Sequence, residues 1–401
     1  MKVLHVIPSV GAVRGGPSQA ILEMVKALRS QGIDAEIATT NDNGASLLEV
    51  PLYHLIQYHE VPVRFFPRFS PNVSAIREFA FSSSFTTWLW QNLPQYDLIH
   101  VHAIFSYPST VAMAIARHYK IPYIVRPLGQ LCTWSLQQSA RKKQIYLQLI
   151  ERKNINQSQA LHLTSQQEQQ EVSQLHLTAP SFVLPHGLTL PLTIPNAHQQ
   201  LRQHLNLPAD QPILLFLSRL HPKKGLEYLI PALSKLTHHR FTFVIAGEGD
   251  PTYEQELKDL IKQSGLGDRT HFAGFVAGEA KNLFLQGSDL FMLTSHSENF
   301  GVVVLEALAV GLPVLLTPGV ALSSIVQKHQ LGYITELNTL TIADVLNRYL
   351  KCPKIGKEMG TRARQVVLES YTWDKVATQM IEAYQAVIHP HVMIASTIKL
   401  T

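Results

Sequence analysis

The chain reads as an α/β protein built from two doubly wound parallel-sheet domains of nearly equal size. Three observations carry this. Short apolar runs of strand length alternate with segments of helical length, and they do so twice over. A stretch dense in Pro and Gly, Pro185-His186-Gly187-Leu188-Thr189-Leu190-Pro191-Leu192-Thr193-Ile194-Pro195, separates the two series without periodicity of its own. At 401 residues the chain is too long for one ordinary core.

In the first series the expected strands are Val3 to Ile7, Ala35 to Thr39, Leu98 to Val101, Tyr123 to Val125, Leu161 to Thr164 and Phe182 to Leu184. Gly11-Ala12-Val13-Arg14-Gly15-Gly16-Pro17-Ser18 joins the first strand to a helix expected from Gln19. Its glycines permit positive φ and close backbone approach, so two readings stand: a loop lying against a phosphate or an acceptor, or a plain tight turn. No Gly-Lys-Ser/Thr follows, which excludes a Walker loop. Asp97-Leu98-Ile99-His100-Val101-His102-Ala103 places His100 and His102 on one face of a strand with His102 at its end. Arg126-Pro127-Leu128-Gly129 follows a strand and has no assigned role. Leu131 to Lys153 is helix-like, with Trp134, Tyr146, Leu149 and Ile150; its part Ser139–Lys153 holds Arg141, Lys142, Lys143, Arg152 and Lys153 against one acid, Glu151. Such a face suits anionic lipid or a phosphorylated acceptor, and equally a solvated helix surface.

The second series runs Ile213 to Leu217, Phe241 to Ala246, His271 to Ala273, Leu290 to Leu293 and Val314 to Leu316. Ser218-Arg219-Leu220-His221-Pro222-Lys223-Lys224-Gly225 follows the first of these strands and precedes a helix from Leu226. Fixed cations there suit a diphosphate that gains charge as it departs, although a Lys-Lys pair more often marks a solvated loop. Gly247-Glu248-Gly249 lacks the third glycine of a dinucleotide loop, so a nicotinamide cofactor is weakly supported. Gly274-Phe275-Val276 follows the next strand.

The richest segment is Ser295-His296-Ser297-Glu298-Asn299-Phe300-Gly301-Val302-Val303-Val304-Leu305-Glu306, read as polar loop and then a helix from Phe300 to Val310. Gly311-Leu312-Pro313 stops that helix. Glu306 in an otherwise apolar helix is costly unless something polar meets it, and a hydroxyl-rich ligand or an internal partner would each suffice. Ligands of open α/β sheets sit at the carboxyl ends of strands, where Glu298 and Gly301 fall. A final helix is expected after Ser370-Tyr371-Thr372, with Thr372 as N-cap, reaching about Ile388; the tail from His389 carries no usable signal.

Composition sets limits. Hydrophobic residues make up 46% and charged residues 16%, which describes a globular chain. The balance of 34 basic against 29 acidic residues, net +5, is too diffuse to imply nucleic acid. Cys132 and Cys352 lie far apart and fit neither a zinc cage nor a disulfide scaffold. The first eight residues are too short an apolar run for a signal peptide, and no run of about 18 apolar residues spans a bilayer. A reduced, cytoplasmic setting is the expectation.

The string S-H-S-E-N-F-G…E-A-L-A-x-G-x-P-V, with seven residues between Glu298 and Glu306, resembles the E-x7-E donor motif of retaining glycosyltransferases of the GT-B fold, in particular glycosyltransferase family 4. The S-R-L…K-G segment, the Gly-Gly loop and D-x-x-H-x-H are similar to further family features, and the likeness covers roughly residues 1 to 388, strongest from Arg219 to Pro313. It implies two Rossmann-like domains facing across a cleft: 1–185 on the acceptor side, 186–370 for the nucleotide sugar, and a helix 371–388 crossing back, followed by a tail 389–401. It implies donor phosphates at Arg219, Lys224, Gly16, Gly301 and Val302, nucleotide and ribose at Glu306, Gly247, Phe275 and Val276, and donor sugar at Glu298, Asn299 and Phe300. His102 and Glu298 would serve the reacting centre, with His100 structural.

The function expected from this resemblance is transfer of a sugar from a nucleoside diphosphate sugar to a hydroxyl of a saccharide or lipid-linked acceptor, in surface polysaccharide or glycolipid synthesis. No cofactor, metal or nucleic acid is expected, the nucleotide sugar being a co-substrate. Peripheral contact with the inner face of the plasma membrane through 131–153 is a further expectation. A nucleotide-sugar epimerase or hydrolase of the same fold, or a noncatalytic nucleotide-sugar-binding protein, are the rivals. Pro185-His186-Gly187 stands where family members often have Pro-Asn-Gly, which puts only the hinge in question.

Overall fold

The structure is a computed structural model, and it describes residues 1–390, with the side chains of Ser74 and Ala75 left aside. The tail expected at 389–401 therefore falls mostly outside the described residues. The chain divides into two units: Met1–Gly187 together with the helix Trp373–Ile388, and Leu188–Thr372. The boundary expected after 185 lies two residues earlier than this division.

Among the described residues ten strands belong to the first unit: β1 Lys2–Ser9, β2 Asp34–Thr40, β3 Asp42–Asn43, β4 Ser46–Leu47, β5 Leu55–Tyr58, β6 Val61–Phe66, β7 Leu98–His102, β8 Tyr123–Arg126, β9 Ala160–Leu163 and β10 Ser181–Val183. Eight of them form one sheet in the order β10-β9-β8-β7-β1-β2-β6-β5, while β3 and β4 pair with each other. All neighbours in the large sheet run parallel except the β5–β6 hairpin. The order reverses between β1 and β7, so the carboxyl ends of these two strands open a crevice. The hairpin escaped the sequence reading because its two-residue turn, His59-Glu60, adopts φ of 48° and 63° without the Gly or Asn that usually marks such a turn.

The second unit holds β11 Ile213–Leu217, β12 Thr242–Ala246, β13 Thr270–Gly274, β14 Leu290–Leu293, β15 Val314–Leu316 and β16 Gly332–Ile334. They form an all-parallel sheet in the order β13-β12-β11-β14-β15-β16, with the reversal between β11 and β14. Ile213–Leu217 and Leu290–Leu293 are buried along their whole length, as strands covered on both faces by helices must be. The helix Trp373–Ile388 buries Val376, Met380 and Tyr384 in the first unit's core beside Ile21, Val25 and Leu28.

Two expectations about helices change. The first begins at Gly16, with Pro17 in its opening turn, three residues before Gln19. The region 131–153 is not one helix: it comprises Thr133–Gln137, Ala140–Tyr146, a π-helical turn Leu147–Glu151 and Arg152–Asn156. Glu151, counted above as the acid of a basic face, is buried, where it accepts hydrogen bonds from Thr110 Oγ1 (2.6 Å) and Asn154 Nδ2 (3.2 Å). The exposed side therefore keeps Arg141, Lys142 and Lys153 with Ile145, Leu149 and Ile150, and no acid of its own segment.

Candidate active site

In the second unit the candidate residues Lys224 and Glu298 meet at the sheet's switch point. After β11 the chain passes Arg219, which is exposed, and makes a short 3-10 turn over Pro222–Lys224. Gly225 then starts the helix Leu226–Ser234 at φ 67°, and a Cβ there would run into the carbonyl oxygen of Thr294. That close approach brings Lys224 to the loop after β14: Thr294 Oγ1 donates to the carbonyls of Lys224 and Gly225, and His296 N–H to that of Lys223. The Lys224 ammonium is paired with the Glu298 carboxylate, both side chains being largely buried. Glu298 is itself pinned, its N–H donating to Gly319 O (2.8 Å) and its C=O accepting from Ala321 N–H (3.0 Å).

Gly301, at φ 79°, opens the helix Val302–Ala309. Glu306 lies on that helix and pairs with Lys281 Nζ at 2.6 Å. Lys281 belongs to the helix Gly278–Gly287, and sequence reasoning missed it; nothing in a local pattern links it to an acid 25 residues away. Of the two readings open for Glu306, the internal partner is the one present, and Glu298 likewise faces a lysine. Arg219 has no ion pair with any described residue.

The remaining donor-side residues are placed as follows. Gly247, at φ 143°, passes so close to Ser218 that a Cβ would strike its carbonyl, and its N–H donates to Gly274 O at 2.7 Å. Phe275 is 72% exposed, and Val276 beside it packs partly against the core. Asn299 and Val302 are half-buried. Phe300 is buried in the second unit's core, so its ring is not available to a sugar and any contact there is main-chain. In the first unit Gly16 is exposed with open space around it; the positive φ belongs to its neighbour Gly15.

His102 lies in a buried polar network rather than in an open strand end. Its Nε2 is 3.0 Å from His5 Nδ1, and its Nδ1 has no protein partner. Burial, with the nearby Arg126 guanidinium, lowers His5 to about 3 and holds His102, His100, His162 and His186 well below the usual imidazole range. The protons of His100 and His162 then follow. Leu184 O only accepts, so His162 Nε2 carries hydrogen (2.8 Å) and its bare Nδ1 accepts from His100 Nε2 (3.3 Å). His100 Nδ1 in turn accepts from Tyr384 Oη at 2.7 Å. Both ring nitrogens of His100 are thus engaged within the protein. His5, His100 and His102 bring ring nitrogens within 4.8 Å of one another, a spacing open to a metal ion. Both nitrogens of His100 are already bonded, and a buried guanidinium beside the trio opposes a further cation, so these residues fit a metal poorly. His186, the departure from Pro-Asn-Gly, stands 3.1 Å from Arg126 through its Nδ1.

Two parallel-sheet α/β units, the second carrying its acid and lysine side chains at the switch point, define a GT-B glycosyltransferase. The family description "Glycosyl transferases group 1" matches residues 198–366 and "Glycosyl transferase 4-like domain" matches residues 15–187. An uncharacterized glycosyltransferase of Methanocaldococcus jannaschii is 33% identical over 187 residues, 46% of this chain and 47% of that one. A D-inositol 3-phosphate glycosyltransferase of Xylanimonas cellulosilytica is 26% identical over 383 residues, covering 92% and 91%. Among solved structures, sucrose-phosphate synthase of Thermosynechococcus elongatus superimposes with a TM-score of 0.78 at 20% identity, covering 97% and 100% of the two chains. Anabaena HepE, in complex with UDP and glucose, gives 0.75 at 22% identity, covering 96% and 100%. The chain belongs to glycosyltransferase family 4. The alignment spans about half of the Methanocaldococcus relative and about nine tenths of the Xylanimonas one.

Proposed function

We propose that the protein moves a sugar from a nucleoside diphosphate sugar to a hydroxyl acceptor with retention of anomeric configuration, without metal, in the synthesis of a surface polysaccharide or glycolipid. The observation that carries this is the pair of lysine–glutamate contacts, Lys224–Glu298 between the loops that follow β11 and β14, and Lys281–Glu306 between the helices that follow β13 and β14. Carboxylates pre-oriented by lysines are poised acceptors for sugar and ribose hydroxyls, and the lysines retain donors for phosphate oxygens. UDP in HepE is a property of that protein and supports the same nucleotide here.

In this reading Arg219 and Lys224, with the amides of Gly301, Val302 and Gly16, meet the diphosphate. Glu306 takes the ribose, Gly247, Phe275 and Val276 lie along the nucleotide, and Glu298, Asn299 and main-chain Phe300 take the sugar. The bond from the anomeric carbon to the diphosphate oxygen breaks as the acceptor oxygen bonds to the same face. The acceptor proton passes to the departing phosphate oxygen, whose growing charge Lys224 and Arg219 offset. His102 meets the reacting sugar through the Nδ1 that has no protein partner, as a neutral hydrogen-bonding group, because its depressed pKa keeps it uncharged at neutral pH.

The test is calorimetric titration of UDP-, GDP- and ADP-sugars into purified protein in EDTA, repeated with Arg219→Ala and Glu306→Ala. One nucleotide class is expected to bind, with a loss of at least about tenfold, or 1.4 kcal/mol, in each variant. Binding that both variants retain in full would remove these residues from the donor site.

Contact with a membrane at its cytoplasmic face belongs to the same proposal. No helix among the described residues is long and apolar enough to cross a bilayer. Leu149 is 77% exposed and Ile145 60% exposed beside Arg141 and Lys142, an apolar and basic surface suited to anionic lipid. Sedimentation with vesicles containing phosphatidylglycerol should be lost in Leu149→Glu; equal sedimentation of both proteins would refute the contact.

A further inference from the structure

Glu306 is the only charged residue of the helix Val302–Ala309, whose other side chains are Val, Leu and Ala. Its carboxylate accepts from Lys281 Nζ at 2.6 Å, and among the described residues it makes no other side-chain hydrogen bond. Both side chains stay partly open, Lys281 at 29% and Glu306 at 19% exposure. A pair within reach of water adds little to stability, because solvent screens it and each end can hydrate instead. The helices that carry it are already joined by apolar packing: Phe284 and Leu285 of Gly278–Gly287 share one buried core with Leu305 and Leu308.

The place of the pair in the chain gives it another use. Lys281 stands in the first turn of the helix Gly278–Gly287, just after the loop carrying Phe275 and Val276, which is proposed to run along the nucleotide. Glu306, on the neighbouring helix, is proposed to take the ribose. One contact therefore ties the nucleotide-side loop to the ribose-side acid within a single unit. A carboxylate offers lone pairs for about four hydrogen bonds, and the ammonium takes one of them, at Oε1. Enough remain for two adjacent hydroxyls, which the 2′,3′-diol of ribose presents and 2′-deoxyribose does not. Without Lys281 the carboxylate would be loose about its last, broad torsion, and a diol would have to order it on binding, with loss of affinity.

We infer that Lys281 is a positioning residue that sets the selectivity of the donor site for ribonucleotides over 2′-deoxyribonucleotides, by presenting the Glu306 carboxylate to the ribose diol. The inference rests on the transferase reading above and assigns a residue and a selectivity within its donor site.

Calorimetric titration of UDP, GDP and ADP, and of their 2′-deoxy counterparts, into the full chain in EDTA tests it. The variants are Lys281→Met, which keeps the stem and removes the charge, and Lys281→Arg, which keeps the charge. The wild-type protein is expected to bind the ribo form of one nucleotide at least about tenfold more tightly than its deoxy form. Lys281→Met should weaken the ribo form about tenfold and leave the deoxy form within about twofold, so that the preference collapses, and Lys281→Arg should restore most of it. Equal weakening of both forms in Lys281→Met would mark a merely structural contact and overturn the inference. A wild type without the preference, or a preference that Lys281→Met retains, overturns it as well. Failure of every ribonucleotide to bind the folded wild-type protein brings down the transferase reading itself, and the inference with it.

Discussion

Lys224→Met is expected to lower kcat/KM for the proposed sugar transfer by about 10²- to 10³-fold, mostly in kcat, because in that reaction the charge it offsets develops only as the diphosphate leaves. The fixed position of Lys224 is what makes the loss large. Its backbone is held by the Gly225 turn against Thr294, and its ammonium by Glu298, so little reorganisation is needed when the phosphate charge grows. Methionine keeps the packing of the lysine stem and removes the charge. Glu298→Gln should cost a comparable factor, and the double variant less than the product of the two, since each single change already removes the shared ion pair. Arg219→Ala, at an exposed side chain without an ion pair, should act chiefly on donor KM. Steady-state kinetics with saturating acceptor resolves these cases. Full activity in Lys224→Met would remove the lysine from the chemistry.

The second large effect is on stability. The first unit melts at much lower temperature at pH 5 than at pH 7.5. In the folded state His5 titrates only at about 3, and His100, His102, His162 and His186 are held neutral in the same direction. The unfolded chain binds protons on these residues below about 6.5, so stability falls steadily as pH drops from there towards the folded values. For His5 the loss at pH 5 is about 2 kcal/mol, and the other four add to it. The buried acids Glu168 and Glu151, whose carboxyls burial pushes up, act the opposite way, but they are two against five. Even half of the histidine sum is a sizeable part of the 5–15 kcal/mol that holds a typical domain. Thermal unfolding followed by circular dichroism at the two pH values shows it. Equal midpoints would mean that these imidazoles are charged or hydrated in the folded protein.

The donor-side segment was legible because its chemistry is local. Glu298, Gly301 and Glu306 lie within nine residues on one loop and helix, and the strands Ile213–Leu217, Leu290–Leu293 and Val314–Leu316 are unbroken apolar runs that form where they were read. What could not be read depends on residues distant in the chain. Lys281 finds Glu306 only after the sheet has formed, and His100 meets His5, His162 and Tyr384 from three other elements. The positive φ of Ala80, Ala103, Phe105 and Leu128 has no composition signal either, since Ala, Phe and Leu are poor markers of it. The β16 strand, Gly332–Ile334, was too short and too open to show a pattern.

Whether the reaction is transfer with retention is answered most directly by NMR of the product anomer. The protein is incubated in EDTA with the α-linked nucleotide sugar that it binds and a saccharide acceptor, and the anomeric signal of the new glycosidic bond, which cannot mutarotate, is read. An α-glycoside with stoichiometric release of the nucleoside diphosphate is the expected result. A β-glycoside, or free sugar in place of a glycoside, would contradict it.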